Sequence, residues 1–508
     1  MPDPKNGSAA AGGSKPSFEP TPELGPRPTG HAILHALETA AGLRPEGWAV
    51  RDPYRALTYP ELVESVRANA AKLGAAGVQR GDLAMLESTH DTAYLTAYFS
   101  ALSIGVNVMP YDPAMGSAEI KREMARHGVG IRLVPHVAGT EVVRLQVDPR
   151  AVQSPSLSAE LASGGLVLLS TSGTGGLPKR ALHSPDRLVM NAAAHASSVG
   201  LDRNDTTLLI LSPAFGYCHT SQILAHLLVG GRMVFPPRPA MPFDLVSAMR
   251  AGECTNTTMV PHQMGDVLIR ALADVPTLRQ VALGGSAVTP EFLRRVTAGL
   301  PDVEILQTWG MTECGPRLTT WRSTRDPLAQ GCVGRPINGV GVGTRFAAGP
   351  AGLAEEPVEL YAHTPYAMLG YLSDSVSEAD VLVAAGLIRT GDLGRVDEDG
   401  LVYVHGRLKN LIDVAGKKFS AEELEQVVGA VDGVTAVRVL GRDDPRRGQR
   451  PVALVVAERD DLTVAAEQIH EVVRTQLAPH KWLQDVEFVE SLERTVNGKI
   501  GRAERHAV

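Results

Sequence analysis

The stretch "STSGTGGLPKR" at positions 170–180 combines small hydroxyl residues and glycines with a proline, a lysine and an arginine. Because glycine accepts positive φ angles, such a loop exposes its backbone N–H groups to an approaching anion. Lys179 adds a full positive charge. This chemistry suits a phosphate, although the Walker pattern G-x-x-x-x-G-K-[ST] does not fit, since Lys179 lies between Pro178 and Arg180. Taken alone, the segment is equally compatible with a polar surface turn.

Four further segments carry residues suited to the same chemistry. Glu313 in "QTWGMTEC" offers a carboxylate, which is a hard oxygen ligand for Mg²⁺. Asp392 in "RTGDLG" offers an acceptor for a ribose diol, the task of an acidic residue in dinucleotide-binding folds. Arg407 in "GRLKN" and Lys499 in "RTVNGKIGR" add cations. Each of these side chains is more often a solvated or capping residue, so the order of the segments carries the information.

The elements that must position these residues alternate between helix and strand from residue 31 onward. "TAYLTAYFSALSIGVNVMPYDP" predicts a buried helix followed by an apolar strand, and "GLVLLSTSG" predicts a strand that leads into the glycine-rich loop. "TTLLILSP" and "GRMVFPP" predict further strands. Continuous apolar strands between helices indicate an α/β fold with largely parallel sheets.

The pattern changes near residue 400. "DEDGLVYVHGR" predicts a hairpin with an Asp-Gly turn. "SAEELEQVVGAV" predicts a helix that begins with a capping box of Ser420 and Glu423. Two strands, "VTAVRVLG" and "RPVALVVAE", and the helix "VAAEQIHEVVRTQL" follow. This order predicts a small separate α+β domain.

The composition indicates a soluble protein of several domains and argues against some classes of partner. The chain has 508 residues, of which 44% are hydrophobic and 21% charged, as in soluble proteins of several domains. A net charge of -7 argues against nucleic-acid and membrane partners. Four cysteines without C-x-x-C spacing indicate a reducing cytoplasm. The sequence contains no run of about 18 apolar residues, so it predicts no membrane span. Residues 1–30, rich in Pro, Gly, Ser and Ala, are expected to form a flexible tail.

In this order the motifs resemble those of the adenylate-forming superfamily, which includes acyl- and aryl-CoA synthetases, peptide-synthetase adenylation domains and luciferases. "STSGTGGLPK" is similar to the family's phosphate loop, "TWGMTE" to Y-G-x-T-E, "RTGD" to T-G-D, "GRLKNLIDVAG" to the hinge segment and "RTVNGKI" to the terminal catalytic loop. The resemblance covers roughly residues 45–503. It implies an AMP-binding domain over 31–408, built from layered α/β subdomains and a small β-barrel-like subdomain. A small mobile α+β domain over 409–508, which carries the catalytic lysine, is expected to follow.

The resemblance also implies roles for individual residues. Those expected to hold the ATP phosphates are Thr171, Ser172, Gly173, Thr174, Gly175, Gly176 and Lys179. Those expected to line the adenine are Ser286, Ala287 and Trp309. Those expected to bind the ribose are Asp392 and Arg407. The remaining roles are Thr312 near the α-phosphate as a catalytic residue, Glu313 on Mg²⁺, Lys409 as the hinge and Lys499 as the catalytic lysine.

Two positions depart from the family pattern. Gly175 replaces a threonine, which removes one hydroxyl from the loop. Arg180 replaces a glycine, and the alternatives for its side chain are a phosphate, a carboxylate or, most often for arginine, solvent.

The segment "SPAFGYCHTSQ" corresponds to the acid pocket of the family. It lacks the aspartate that pairs with an α-ammonium group, which argues against an amino-acid substrate, and it is similar to the F-x-Y-G segment of aryl-CoA ligases. Phe215, Tyr217, His219 and Gly285 are therefore candidate pocket residues for an aromatic acid. The alternatives are core aromatics and a packing histidine.

The activity implied is a two-step reaction that requires ATP and Mg²⁺. A carboxylic acid becomes an acyl-AMP with release of pyrophosphate, and an acceptor then takes the acyl group. CoA is the expected acceptor; a carrier protein, an amine or nitrite are the alternatives. An Ala-, Gly- and Arg-rich composition favours specialised metabolism such as antibiotic biosynthesis. A kinase or ATPase that releases ADP, and a non-catalytic nucleotide-binding protein, are the alternatives of another class.

Overall fold

The structure of the protein is a computed structural model that describes residues 31–144, 158–171, 179–286, 288–344, 358–372, 381–415, 417–444, 446–457 and 462–492. The expected tail, 1–30, lies outside the described residues. The α-helices are α1 (His31–Leu43), α2 (Tyr59–Ala75), α3 (Thr92–Ser103), α4 (Ser117–His127), α5 (Ser158–Ser163), α6 (Pro185–Val199), α7 (Ala225–Val229), α8 (Pro242–Ala251), α9 (Asp266–Ala273), α10 (Pro290–Gly299), α11 (Ala421–Gly429) and α12 (Leu462–Gln476). A π-helix spans Tyr217–Leu224, and short 3-10 turns span Pro261–Gln263, Thr312–Cys314, Leu408–Asn410 and Pro479–Lys481.

The largest sheet combines a parallel half with an antiparallel half. Its strands are β1 (Val50–Arg51), β2 (Ala56–Leu57), β9 (Thr206–Leu208), β10 (Arg232–Val234), β11 (Asn256–Met259), β12 (Gln280–Gly284), β13 (Glu304–Gly310), β14 (Arg317–Arg322), β15 (Cys332–Pro336), β16 (Gly341–Thr344), β17 (Val358–His363), β19 (Leu382–Ala384), β20 (Leu387–Val396) and β21 (Val402–Arg407). Within the described residues the order is β16-β17-β20-β21-β15-β14-β13-β12-β11-β9-β10-β1-β2, and β19 pairs with β20. Strands β1 and β9 to β13 pair in parallel, whereas β14 and the later strands pair antiparallel. Among the described residues, the antiparallel half is the part of the large sheet that comes nearest to the small β-barrel-like subdomain that the resemblance implies.

A second sheet carries both ends of the glycine-rich loop. Its strands are β3 (Leu83–Glu87), β4 (Asn107–Tyr111), β5 (Ile131–His136), β6 (Gly139–Arg144), β7 (Val167–Thr171), β8 (Lys179–His183) and β18 (Gly370–Tyr371), in the order β18-β8-β7-β4-β3-β5-β6. Strands β3, β4, β5 and β7 pair in parallel, and β7 pairs antiparallel with β8. Helix α3 packs behind this sheet with a face of large buried side chains that includes Tyr94 and Phe99. The helix and strand predicted from "TAYLTAYFSALSIGVNVMPYDP" are confirmed as α3 and β4.

Local sequence signals explain where helix α2 begins and ends. The Thr58 hydroxyl accepts the backbone N–H of Glu61 at 3.2 Å, and the Glu61 carboxylate accepts the N–H of Thr58 at 2.8 Å. These two bonds form a capping box that satisfies donors at the helix start. The helix ends at Ala75, and Gly77 follows with φ of +77°, a conformation that glycine accepts without strain.

A third sheet forms the core of the small C-terminal unit. Its strands are β22 (Leu411–Val414), β23 (Lys417–Ser420), β24 (Val434–Asp444), β25 (Gly448–Ala457) and β26 (Asp485–Phe488), and helices α11 and α12 pack on it. The predicted strands and helices of this unit are confirmed.

The prediction of a capping box at the start of helix α11 is right for Ser420 but wrong for Glu423. Ser420 is the N-cap, and its hydroxyl accepts the N–H of Glu422 at 3.1 Å. Glu423 instead binds Lys481 Nζ at 2.6 Å. The lysine from the Pro479–Lys481 turn therefore draws the Glu423 carboxylate away from the helix start.

Among the described helices, none has both the length and the apolar character needed to cross a membrane.

Candidate active site

The two ends of the glycine-rich loop are held together by a strand pair. Thr171, the last residue of β7, is the register partner of Lys179, the first residue of β8. Thr171 is buried and Lys179 is half-buried. Five predicted phosphate-binding residues lie outside the described residues, namely Ser172, Gly173, Thr174, Gly175 and Gly176. The strand pair therefore fixes where the loop leaves and re-enters the sheet.

Tyr371 connects Lys179 to the predicted metal ligand Glu313. The Lys179 ammonium lies 5.0 Å from the centroid of the Tyr371 ring, within the range of a cation–π interaction. The Tyr371 hydroxyl donates to Glu313 Oε1 at 2.7 Å. Tyr371 reaches this place because β18 pairs with β8, where Tyr371 lies opposite Ala181. Sequence reasoning missed Tyr371, since no motif contains it.

Thr312 and Glu313 lie on a 3-10 turn directly after β13. The Thr312 hydroxyl donates to the carbonyl of Ser170 at 3.3 Å, which ties this turn to the start of the loop. Met368 donates its backbone N–H to the carbonyl of Glu313 at 2.8 Å. Glu313 is buried and accepts from Tyr371, so its carboxylate has a defined position near the strand ends that flank the glycine-rich segment. A carboxylate in that position fits Mg²⁺, which takes one or two carboxylates together with phosphate oxygens.

The predicted ribose-binding pair is present and has a third member. Asp392 and Arg407 are register partners on β20 and β21, and Arg407 Nε lies 2.8 Å from Asp392 Oδ1. The Trp309 indole N–H donates to Asp392 Oδ2 at 2.8 Å. Asp392 is 4% exposed. Two donors thus orient the carboxylate, while its other lone pairs stay available as acceptors for hydroxyl groups.

Strand β13 separates two sides of the site. The Thr308 hydroxyl donates to the Tyr217 hydroxyl at 2.7 Å, whereas the neighbouring Trp309 contacts Asp392. Successive side chains of a strand point to opposite faces. The predicted acid pocket and the predicted nucleotide pocket are therefore adjacent and divided by this strand.

The end of β12 borders the acid side. A Cβ atom on Gly284 would lie 2.7 Å from the Tyr217 ring, so a side chain at Gly284 would displace the tyrosine. Gly285 follows with φ of +85°, and Gly285 and Ser286 are exposed. Ala287 lies outside the described residues.

The candidate pocket residues lie at the start of the π-helix. Phe215 accepts the N–H of His219 through its carbonyl at 2.9 Å. The His219 ring is buried, and its Nε2 shares a 2.7 Å hydrogen bond with the Tyr98 hydroxyl. Burial lowers the pKa of His219 to about 3, so the ring is neutral at pH 7. Long π-helical segments are rare and often accompany functional sites.

The sequence-based expectation that Arg180 most often faces solvent is wrong. Arg180 is buried, and its Nη2 lies 2.9 Å from Glu123 Oε2 on helix α4. Its Nη1 donates to the Ser170 hydroxyl, opposite it on β7. Burial alone would raise the pKa of Glu123, but the neighbouring His127, the hydrogen bond from Arg180 and the Arg180 charge lower it to about 2. Arg180 therefore neutralises the Glu123 carboxylate and holds the Ser170 hydroxyl, near the point where the loop begins.

The last two predicted residues concern the C-terminal unit. Lys409 is exposed on the 3-10 turn Leu408–Asn410, between β21 of the large sheet and β22 of the third sheet. Lys499 lies outside the described residues. The hinge and catalytic roles of these lysines stay predictions.

The sequence profile described as AMP-binding enzyme matches residues 37–372, which is more than half of the chain. The profile described as AMP-binding enzyme C-terminal domain matches residues 423–499. A feruloyl-CoA synthase from an Amycolatopsis species is 29% identical over 489 residues and covers 91% of this chain and 96% of its own. A 4-coumarate–CoA ligase 5 from Oryza sativa subsp. japonica is 26% identical, with 89% of each chain covered.

The fold is similar to that of solved ligases. The anthranilate CoA ligase AuaEII in complex with anthranoyl-AMP superposes with a TM-score of 0.78 at 19% identity, covering 93% of this chain and 95% of the other. The o-succinylbenzoate CoA synthetase from Bacillus subtilis in complex with ATP and magnesium ion superposes with a TM-score of 0.77 at 21% identity, covering 92% and 98%. The fold and the site together define an adenylate-forming enzyme. The chain belongs to the AMP-binding enzyme family and is an AMP-forming acid ligase.

Proposed function

We propose that this ligase activates an aromatic carboxylic acid as its acyl-AMP and then transfers the acyl group to CoA. The observation that carries the proposal is a set of contacts around β13. After the strand ends, Thr312 bonds to Ser170 and Glu313 bonds to Tyr371, whose ring contacts Lys179, while Thr308 within the strand bonds to Tyr217. This arrangement supports a triphosphate site and an acid site next to the same strand.

In the first step a carboxylate oxygen of the acid forms a bond to the α-phosphorus of ATP. The bond between that phosphorus and the bridging oxygen breaks, and pyrophosphate leaves. Lys179 and the loop N–H groups bind the leaving phosphates, and Asp392 and Arg407 orient the ribose. Such positioning and charge neutralisation supply most of the catalysis in phosphoryl chemistry. We assign Lys499 to the carboxylate and the α-phosphate, where its charge is most useful in the transition state.

Glu313 is the residue that would hold Mg²⁺ beside these phosphates. Bound magnesium neutralises part of the triphosphate charge. Tyr371 contributes by donating to Glu313 Oε1, which restrains the carboxylate, while its ring contacts Lys179. The hydroxyl of Thr312 is bonded to the loop stem and lies next to this carboxylate in the chain.

In the second step the thiol sulfur of CoA forms a bond to the acyl carbon. The bond from that carbon to the AMP oxygen breaks, AMP leaves, and the thiol proton passes to solvent. We propose that the unit over 409–508 turns about Lys409 between the steps, so that Lys499 withdraws and another face meets the acceptor. The position of Lys409 between two sheets supports a hinge there.

An aromatic acid is favoured by two observations. Tyr217 is the first residue of the π-helix and Phe215 lies two residues before it, and Thr308 on the dividing strand fixes the Tyr217 hydroxyl. The names of two similar proteins, the feruloyl-CoA synthase and the anthranilate CoA ligase, specify aromatic acids and CoA.

The test incubates the purified chain with Mg²⁺-ATP and a panel of aryl and alkyl acids, with and without CoA, and identifies the products by mass spectrometry. Pyrophosphate, AMP and an aryl-CoA support the proposal in full. Pyrophosphate with an alkyl-CoA alone overturns the aromatic assignment. Acyl-AMP that CoA does not consume overturns the CoA assignment, and addition of a carrier protein, an amine or nitrite then identifies the acceptor. ADP in place of AMP would overturn adenylation itself.

A further inference from the structure

Arg317 is a buried cation whose charge no carboxylate balances within the described residues. It begins β14, directly after the Gly315-Pro316 bend, and is 4% exposed. Neither its Nε nor its Nη1 has a hydrogen-bond partner in the described part of the chain, and no described Asp or Glu lies within 4.0 Å of the guanidinium. A buried arginine of this kind costs several kcal/mol unless a charge or acceptors compensate it.

The neighbours of Arg317 in the described part of the chain are neutral. Its guanidinium carbon lies 3.9 Å from the centroid of the Tyr217 ring, in a cation–π stack. Burial raises the pKa of Tyr217, so the phenol carries no negative charge that would offset the arginine. Burial, followed by the charge of Arg317, lowers the pKa of His195, whose buried Nδ1 also lacks a partner in the described residues. Among the described residues, the Arg317 charge thus has an aromatic face beside it but no anion.

The backbone holds Arg317 in this place. Asn191 on α6 accepts the Arg317 N–H at 3.0 Å and donates to its carbonyl at 3.0 Å. His195 lies one helical turn further along α6, on the same side of the helix. On the other side, Tyr217 is fixed by its bond to Thr308. The Arg317 backbone is therefore held in place, and its buried side chain lies against Tyr217 rather than reaching solvent.

We infer that Arg317 is the binding site for a second carboxylate of the acid substrate, which would make the substrate a dicarboxylic acid. The inference rests on the proposed function, because it places this group in the acid pocket beside Tyr217. The planar fork of a guanidinium matches a carboxylate with two parallel hydrogen bonds, and Nε is one of the donors suited to that geometry.

The carboxylate that reacts is a poor partner for Arg317. That group loses its charge when it becomes the acyl phosphate of the adenylate, so an arginine that served it alone would be uncompensated in the intermediate. A second carboxylate keeps its charge through both steps. One face of the Tyr217 ring is covered by the guanidinium, so the body of the acid contacts the ring edge or its other face.

The test compares matched acids on the wild type, Arg317→Met and Arg317→Lys. The pairs are benzoate with isophthalate and terephthalate, and hexanoate with adipate. The readout is kcat/KM from pyrophosphate release, together with the rise in melting temperature that each acid causes in the presence of AMP. Hydrogen bonds to a charged group contribute about 1.5–3 kcal/mol, which is about 10- to 150-fold in affinity. We expect the wild type to prefer one diacid over its monoacid by that factor.

In Arg317→Met we expect the diacid preference to disappear, because kcat/KM for the diacid falls about 10- to 150-fold more than kcat/KM for the monoacid. Arg317→Lys keeps the charge but loses the fork, so it should retain part of the preference. Arg322→Met is the matched control, since Arg322 ends the same strand and pairs with Glu304 at 2.6 Å. This control should keep the preference.

The outcomes separate the inference from the proposed function. Monoacid activation without any diacid preference overturns the inference and leaves the ligase function standing. An equal loss for mono- and diacids in Arg317→Met, with AMP binding intact, means that Arg317 serves the reacting carboxylate or the packing of Tyr217, and also overturns it. Diacid stabilisation that requires Arg317, even without pyrophosphate release, supports the anion site and counts against the proposed function alone.

Discussion

Arg180→Met tests whether the buried pair below the phosphate loop stabilises the fold as a charge pair. Methionine replaces the aliphatic part of the arginine side chain. The substitution removes the cation, which lies 2.9 Å from Glu123 and also binds Ser170. The two side chains of the pair are 2% and 3% exposed. Arg126 at 3.6 Å and His127 at 3.5 Å remain near the carboxylate.

The expected loss follows from these contacts. Removing one partner of a buried ion pair costs about 3–5 kcal/mol, because the other charge is left buried. Since two weaker neighbours remain, we expect about 3 kcal/mol. The entropy of unfolding is about 2.1 cal/mol/K per residue, which gives about 0.8 kcal/mol/K for a cooperative unit of roughly 380 residues. The melting temperature should therefore fall by about 4 °C.

The pH dependence identifies the charge as the cause. The pKa of Glu123 in the folded chain is about 2, below its usual 4.5, so the pair contributes fully above pH 4.5 and its contribution is lost as the pH falls towards 2. The deficit of Arg180→Met should be largest at pH 7 and should shrink in acid, where Glu123 takes up a proton. Adding Glu123→Gln to Arg180→Met should recover much of the loss.

Differential scanning calorimetry of the wild type and the variants between pH 2.5 and pH 7 measures this. Arg294→Met is the matched control, because Arg294 pairs with Glu291 at the same 2.9 Å but on the surface, where such pairs contribute about 0–1 kcal/mol. A melting temperature within 1 °C of the wild type, or a deficit that does not change with pH, would refute the account of Arg180.

Three further substitutions test the nucleotide site. Asp392→Asn should weaken ATP binding by about 10- to 100-fold, since a hydrogen bond to a charged group contributes about 1.5–3 kcal/mol; calorimetric titration measures it, and unchanged affinity would exclude Asp392 from the ribose site. Glu313→Gln should raise the Mg²⁺ concentration required for half-maximal pyrophosphate release, whereas an unchanged requirement would place the metal elsewhere. Lys499→Ala should lose adenylation but keep thioester formation from supplied acyl-AMP, and an equal loss of both half-reactions would contradict the two-step rotation.

The parts of the site that the sequence predicts are those that a local motif encodes. Asp392 and Arg407 are 15 residues apart in the chain, yet an Asp-Gly hairpin brings them into register, so their pairing follows from a short pattern. Lys179 lies opposite Thr171 because β7 and β8, which flank the glycine-rich segment, pair antiparallel. Glu313 follows a strand end, where polar ligands of parallel sheets are expected.

The parts that the sequence does not predict depend on contacts between distant segments. Tyr371 joins the site because β18 pairs with β8 across about 190 residues of chain. Arg180 is buried because Glu123, on another element, offers a carboxylate. The residue type alone predicts that an arginine is exposed to solvent, and no motif near Arg180 in the sequence predicts that Glu123 is its partner. The burial of Arg317 against Tyr217 likewise depends on two segments about 100 residues apart, so no local motif predicts it.

The central claim is that the chain forms an acyl-adenylate, and acid-dependent exchange of labelled pyrophosphate into ATP tests it most directly. The exchange requires reversal of the first step and needs no acceptor. The account predicts label in ATP when Mg²⁺ and an acid of the panel are both present, and no label when either is omitted or when Lys499→Ala is used. Absence of exchange with every acid, together with ADP formation, would contradict it.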